Sequence, residues 1–260
     1  MFSLAIVDLK ESVASWRLWM LLGWLEVRQR YARSRIGPFW LTISTGVLVG
    51  SIGVVYGTLF GQKMSDYLPF LAISLVLWGA FSQTIIEGST AYINSGQYIR
   101  QAATPKLIFM LQVIWRNLVI LVHNFVIILL LLAIFGVKSW ETLPIFIPAL
   151  VLYMINALWI AMVAGLLSAR FRDLPQIVAA LMQIAFYVTP VMYRPVAMTR
   201  FSLIVRLNPL AHLIELVRAP LIGELPTTIT WAVTIGMAVF GWIFALALTG
   251  RYLKRIPYWV

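Results

Sequence analysis

Glu87 and Arg116 are the residues whose types and placing most invite chemistry. Each borders a long stretch without Asp, Glu, Lys or Arg, and each lies about ten residues from the short segment 97–106, so at 1.5 Å per residue they reach a similar depth. A lone charge among apolar side chains is costly, which predicts that the two pair across neighbouring helices. Two roles stay open for the pair: a plain structural tie, or one partner standing on a substrate path. No catalytic constellation accompanies them. His123 and His212 are far apart in the chain, and the 9 acidic residues are scattered, which argues against a membrane-embedded glycosyltransferase or phosphatase. Cysteine is absent, which removes disulfides, thiolate catalysis and Cys-type zinc sites. No Gly-Lys pair occurs, so the chain has no P-loop to cradle ATP. The expectation is a non-enzyme with no metal and no cofactor of its own, any ATP-driven work being supplied by another polypeptide.

Three further sets carry possible function. Gln176, Gln183 and Tyr187 share one face of an otherwise apolar helix ahead of Pro190. Such a face avoids lipid and either lines a pore or bonds to a neighbouring helix. Gly46, Gly50, Gly53 and Gly57 recur at spacings that let helices approach closely. The same strip, with Tyr56 and Phe60 at its outer end, can instead line a pathway. Arg28, Arg30, Arg33 and Arg35 form a cationic cluster ahead of the first long apolar stretch. Guanidinium forks suit phosphate oxygens, and the same charges also anchor a chain to acidic lipid. Tryptophan, tyrosine and phenylalanine number 11, 10 and 14, which suits sugar stacking but equally the membrane interface.

The elements that position these residues follow from composition. Of 260 residues, 62% are hydrophobic and 11% charged. A soluble fold needs more polar surface than that. Six windows free of charged residues are long enough to cross a bilayer, which takes about 20 residues. They lie between Arg35 and Lys63, Asp66 and Glu87, Arg116 and Lys138, Glu141 and Arg170, Asp173 and Arg194, and Glu224 and Arg251. In lipid the backbone must satisfy its own hydrogen bonds, so each reads as a helix. With the N-terminus inside, thirteen Lys and Arg residues fall on the inner side and six on the outer, leaving Arg116 aside. That asymmetry predicts both termini in the cytoplasm and explains the net charge of +11 without nucleic acid. Asp8, Lys10 and Glu11 interrupt the start, which does not read as a signal peptide.

Residues 4–31 read as an amphipathic interfacial helix. Val13, Trp16, Met20, Trp24, Val27 and Tyr31 form one stripe, facing either the membrane surface or the protein's own bundle. Residues 194–224 mix apolar runs with Pro195, Pro209, Pro220 and arginines, and read as short helices dipping back into the outer leaflet. The whole is an all-α polytopic membrane protein of one domain, 1–260. The interfacial helix occupies 1–35, a six-span bundle 36–250 and a cytoplasmic tail 251–260.

Four motifs give this architecture a resemblance. Arg30-Tyr31-Ala32-Arg33-Ser34-Arg35-Ile36-Gly37-Pro38-Phe39-Trp40 resembles the lead-in to the first span of the ABC-2 type permeases that export polysaccharides. Phe171-Arg172-Asp173-Leu174-Pro175-Gln176 resembles their Phe-Arg-Asp element before the fifth span. Thr189-Pro190-Val191-Met192-Tyr193 is similar to the motif that ends that span, and Leu207-Asn208-Pro209-Leu210 to the element that follows it. Between Asn94 and Lys106 only an Asn…Pro character is shared.

The resemblance implies a homodimer in the bacterial cytoplasmic (inner) membrane, paired with two copies of a cytoplasmic P-loop ATPase that carries the ATP and Mg. It implies a channel for a lipid-linked glycan of O-antigen type, with Arg28, Arg30, Arg33 and Arg35 meeting the anionic headgroup. Gln97, Tyr98, Arg100 and Gln101 would dock on the ATPase. Capsule or teichoic-acid polymer is an alternative cargo. An ABC-2 drug or small-lipid exporter and a secondary transporter are alternative classes; the lead-in motif argues against the first and the lack of visible internal symmetry against the second.

Overall fold

The computed structural model describes residues 2–31, 39–59, 61–101, 104–136, 140–194 and 202–260. Among them all regular structure is helical: α1 (Phe2–Ala14), α2 (Trp16–Tyr31), α3 (Phe39–Leu59), α4 (Met64–Asn94), α5 (Gly96–Gln101), α6 (Ile108–Phe135), α7 (Leu143–Arg170), α8 (Leu174–Val188), α9 (Ser202–Leu207), α10 (Pro209–Leu221), α11 (Thr228–Tyr252) and α12 (Ile256–Trp259).

Five helices, α3, α4, α6, α7 and α11 with its continuation, are long and apolar enough to cross a membrane. The window between Asp173 and Arg194 yields the shorter α8, of 15 residues, about 22 Å at the α-helical rise. Pro190 ends it: a residue before proline is pushed out of the helical region, and Thr189 is extended at φ −87° and ψ 137°.

The centre of the bundle is α4. Of its most apolar stretch 67% is buried within the chain, against 11% for α3. Its tightest partner is α7, where small residues bring backbones together. A Cβ on Gly165 would stand 2.6 Å from the Gly88 carbonyl oxygen, and one on Gly88 would stand 2.6 Å from Ala161 Cβ. Close approach of this kind supplies the packing that hydrophobicity cannot supply between helices in lipid. Polar side chains then tie the helices: Tyr153 donates to the Leu77 carbonyl at 2.5 Å, and the Asn156 amide donates to the Thr234 carbonyl at 3.1 Å.

The N-terminal region differs from the single striped helix expected. Two helices meet at Ser15, and the Trp19 indole N–H donates to the Ser12 carbonyl at 3.1 Å, satisfying a carbonyl that the end of α1 leaves open. Of the stripe's described side chains only Val27 is buried; Val13, Trp16 and Trp24 are exposed. The faces turned to the bundle are Ala5, Asp8 and Ser12 of α1, and Gly23 with Val27 of α2. Buried polar demand explains this choice. The Asp8 carboxylate accepts from the backbone N–H of Lys106 at 2.8 Å and of Leu107 at 2.9 Å, so it caps α6 from another helix. Gly23 lets α2 lie on α6, since a Cβ there would stand 2.9 Å from the Trp115 ring and 3.1 Å from the Gln112 carbonyl oxygen.

Candidate functional site

Arg116 sits at the junction of three helices. Its Nη2 lies 2.6 Å and its Nε 3.1 Å from Glu87 Oε2. Its Nη1 is ion-paired with Glu26 of α2. The carboxylates are held in turn: Asn117 donates to Glu87 Oε2 at 2.8 Å, Gln83 to Glu87 Oε1 at 2.9 Å, and Gln112 to Glu26 Oε1 at 2.7 Å. The side chains of Arg116 and Glu87 are each 12% exposed, while that of Glu26 is 40% exposed. One arginine thus faces two carboxylates, with three amides supplying the remaining donors. Two of those amides follow helical spacing, Gln83 four residues before Glu87 and Gln112 four before Arg116; Glu26 has no sequence signal, because it joins through tertiary contact alone.

The turn between α4 and α6 carries α5. Ile99 is buried and Gly96 packs against Val260, which pins the helix, and Arg100 Nη1 donates to the Val260 carbonyl at 2.5 Å. Gln97, Tyr98, Arg100 and Gln101 point outward, Tyr98 being 68% exposed.

Along one side of the bundle α3 and α8 stand open. Gln176, Gln183 and Tyr187 are all exposed and no residue of α8 is buried. Gly53 and Gly57 receive Leu68 and Met64 of α4, but no described residue lies within 4 Å of a Cβ built on Gly46 or Gly50. The glycine strip is therefore split between packing and an open face. Tyr56 packs against the core. Between α3, α4 and α8 lies a cavity of about 410 Å³ lined by Thr45, Trp78, Asn124 and Phe186, with the Trp78 and Phe186 rings 5.8 Å apart. Arg28 is exposed on α2; the Arg30 side chain, Arg33, Arg35 and Phe60 lie outside the described residues.

At the other end, the chain after α8 is knotted to α10. The Asn208 amide donates to Thr189 Oγ1 at 3.0 Å while its Oδ1 accepts from Leu210 N–H at 2.9 Å, capping α10. Tyr67 donates to the Met192 carbonyl at 2.7 Å. Two motifs nineteen residues apart, Thr189-Pro190 and Asn208-Pro209, thus form one structural unit.

Residues 17–222 match the ABC-2 type transporter family. The chain belongs to that family. This ABC-2 chain is also similar to three O-antigen export system permease proteins named RfbA. The one from Myxococcus xanthus is 25% identical over 196 residues, 72% of this chain and 74% of the relative. Two from Klebsiella pneumoniae are 22% and 24% identical over 194 and 195 residues, each spanning 73% of this chain and 74% of the relative. The ABC-2 match takes in α2 through α10 and so includes the Arg116 junction, α5, the open α3–α8 side and the Thr189–Asn208 unit. It places the protein among multi-pass transporter permeases.

Proposed function

We propose that this ABC-2 permease is the transmembrane subunit of an exporter for lipid-linked polysaccharide of O-antigen type, as the names of its relatives suggest. It works as a homodimer in the bacterial cytoplasmic membrane, bound to two copies of a P-loop ATPase that holds ATP and Mg. The observation that carries this reading is α5, pinned by Ile99 and offering Tyr98 outward at the turn between two spans. A permease with no nucleotide site of its own needs such a surface to receive force.

The remaining parts fit around it. The short α8 makes a sixth crossing when continued through Thr189 to Arg194, and α9 and α10 dip back from the outer face. Both termini then lie inside, with Arg28, Arg30, Arg33 and Arg35 at the inner surface, where a pyrophosphate-linked headgroup would enter. The open sides of α3 and α8 from two copies enclose the channel, presenting Gln176, Gln183 and Tyr187 to sugar hydroxyls; the Trp78–Phe186 cavity adds aromatic faces and the Asn124 amide. Tyr56 and Phe60 mark its outer end.

Co-expression with the candidate ATPase tests the reading. Purified complex is expected to contain equal numbers of the two chains and to transfer lipid-linked glycan across proteoliposomes on ATP addition. Tyr98→Ala is expected to uncouple hydrolysis from transfer while leaving the unfolding temperature of the permease unchanged. A permease that moves the glycan without any ATPase would overturn it.

A further inference from the structure

The outer end holds a second polar site that export does not by itself require. Arg218 of α10 is 1% exposed, the most enclosed cation among the described residues. Its Nε and Nη2 both go to Glu215, and its Nη1 donates to Ser74 Oγ at 2.9 Å and to the Pro190 carbonyl at 2.8 Å. The guanidinium lies 4.2 Å from the centroid of the Phe70 ring. Arg194 approaches the same ring, 5.1 Å from its centroid. Beside them is a cavity of about 330 Å³ whose wall also includes Arg206, His212 and Glu224.

The charge in this cavity is unevenly satisfied. Arg218 spends four of its five N–H groups on these partners and acts as a fixed positive floor. Glu215 is spent on it through two donors. Arg194 gives Nη2 to the Asp66 carbonyl at 3.1 Å, but its Nε is buried with no hydrogen-bond partner among the described residues. Arg206 is exposed and lies at the mouth, its backbone held where its carbonyl accepts from His212 Nε2 at 2.9 Å. Three guanidinium groups and two carboxylates therefore line the cavity, and one buried guanidinium N–H, that of Arg194 Nε, has no partner among the described residues. A guanidinium edge of this kind is satisfied by an oxyanion, which a second arginine at the mouth can share.

We propose that this cavity is a phosphate-binding site, with Arg194 as the inner fork, Arg206 as the outer contact and the Arg218–Phe70 platform fixing Arg194 between them. The phosphate comes from a lipid headgroup or from a phosphate-bearing group on the cargo. The site rests on the transport reading only for its placement on the outer face; binding itself does not depend on what is exported.

The test uses the full chain in detergent, with Arg28, Arg30, Arg33 and Arg35 changed to Gln so that the inner cluster does not contribute. Inorganic pyrophosphate is the probe and the unfolding temperature the readout. The expected result is a saturable rise that sodium chloride at equal ionic strength does not reproduce. Arg194→Gln should weaken apparent affinity about tenfold or more, the size of one charge-assisted bond. Arg194→Lys should restore part of it, since charge returns without the fork. Should Arg194→Gln fail to fold, Arg206→Gln, at the exposed mouth, carries the same expectation at about threefold, in keeping with a solvent-exposed contact. No saturable rise, or a rise untouched by either change, overturns the proposal. Repeating the titration with phosphatidylglycerol present identifies the source: competition assigns the phosphate to lipid, and its lack assigns it to a group arriving with cargo. Intact pyrophosphate binding in a chain that fails to export would fault the transport reading and leave this site standing.

Discussion

Arg116 and Glu26 are ion-paired across the seam between α2 and α6, and the same guanidinium also holds Glu87 of α4. The helix α2 is thereby tied to the two spans that flank the α5 turn.

Exchanging the two buried charges tests whether this is a pair or a triad. Glu87→Arg with Arg116→Glu preserves a simple pair. It also sets a new carboxylate against Glu26. The double variant is expected to lose stability, by about 1 kcal/mol since Glu26 is partly exposed, and adding Glu26→Lys should recover it. Glu87→Gln alone should cost more, about 2–4 kcal/mol, because Arg116 and Asn117 lose a charged acceptor. Thermal denaturation in detergent reads all four proteins. A double variant as stable as the parent would show that Glu26 takes no part.

How much of this was legible beforehand varies by element. Uncharged windows located the long helices because lipid admits no other way to close backbone hydrogen bonds. Glu87 and Arg116 could be set at equal depth from their distance to one turn. Helix periodicity left the stripe along α1 and α2 open to either the membrane surface or the bundle. The stripe through Val13, Trp16 and Trp24 is turned outward, because Asp8 is drawn inward by two N–H groups just ahead of α6, those of Lys106 and Leu107. The length of α8 was hidden for a related reason: Arg194 bounds the window, but Pro190 ends the helix. The Thr189–Asn208 contact and the cavity around Arg218 depend on where α10 packs, which no spacing encodes.

Asp8 gives the N-terminal contact a pH dependence. Burial pushes its carboxyl above the usual value of 3.8, outweighing the two backbone N–H bonds that favour the anion. The folded chain therefore takes up this proton at a higher pH than the unfolded chain does. The group opposes folding above its raised pKa and adds stability as pH falls through that value towards 3.8. Asp8→Asn, which leaves no ionisable group at this position, should flatten that part of the stability profile. Unfolding temperature measured across the acid range decides it; an unchanged slope in Asp8→Asn would assign the dependence to other groups.

The α4–α7 crossing leaves no room for growth. Gly165→Leu would drive a side chain into the Gly88 carbonyl, which belongs to backbone and cannot swing aside. A cost of about 1–3 kcal/mol is expected from overpacking. Gly165→Ala should cost less but in the same direction, since Met110 can move and the carbonyl cannot. The fraction of protein surviving detergent extraction and heating gives the order: parent, Ala, Leu.

The split glycine strip of α3 separates folding from assembly. Gly53→Leu meets Leu68 at 2.5 Å from its Cβ and should weaken the single chain by overpacking, about 1–3 kcal/mol. Gly50→Leu meets no described residue within 4 Å of its Cβ and should leave the stability of the isolated chain within about 0.5 kcal/mol of the parent. If the open side of α3 faces a second copy or a passing glycan, Gly50→Leu nevertheless lowers transport or the yield of dimer, because the added side chain fills space that those occupants need. The two variants thus have opposite signatures: Gly53→Leu is read in stability first, Gly50→Leu in cross-linked dimer and glycan transfer with stability intact. A Gly50→Leu protein that dimerises and exports like the parent would place the dimer seam and the channel on another face of the bundle.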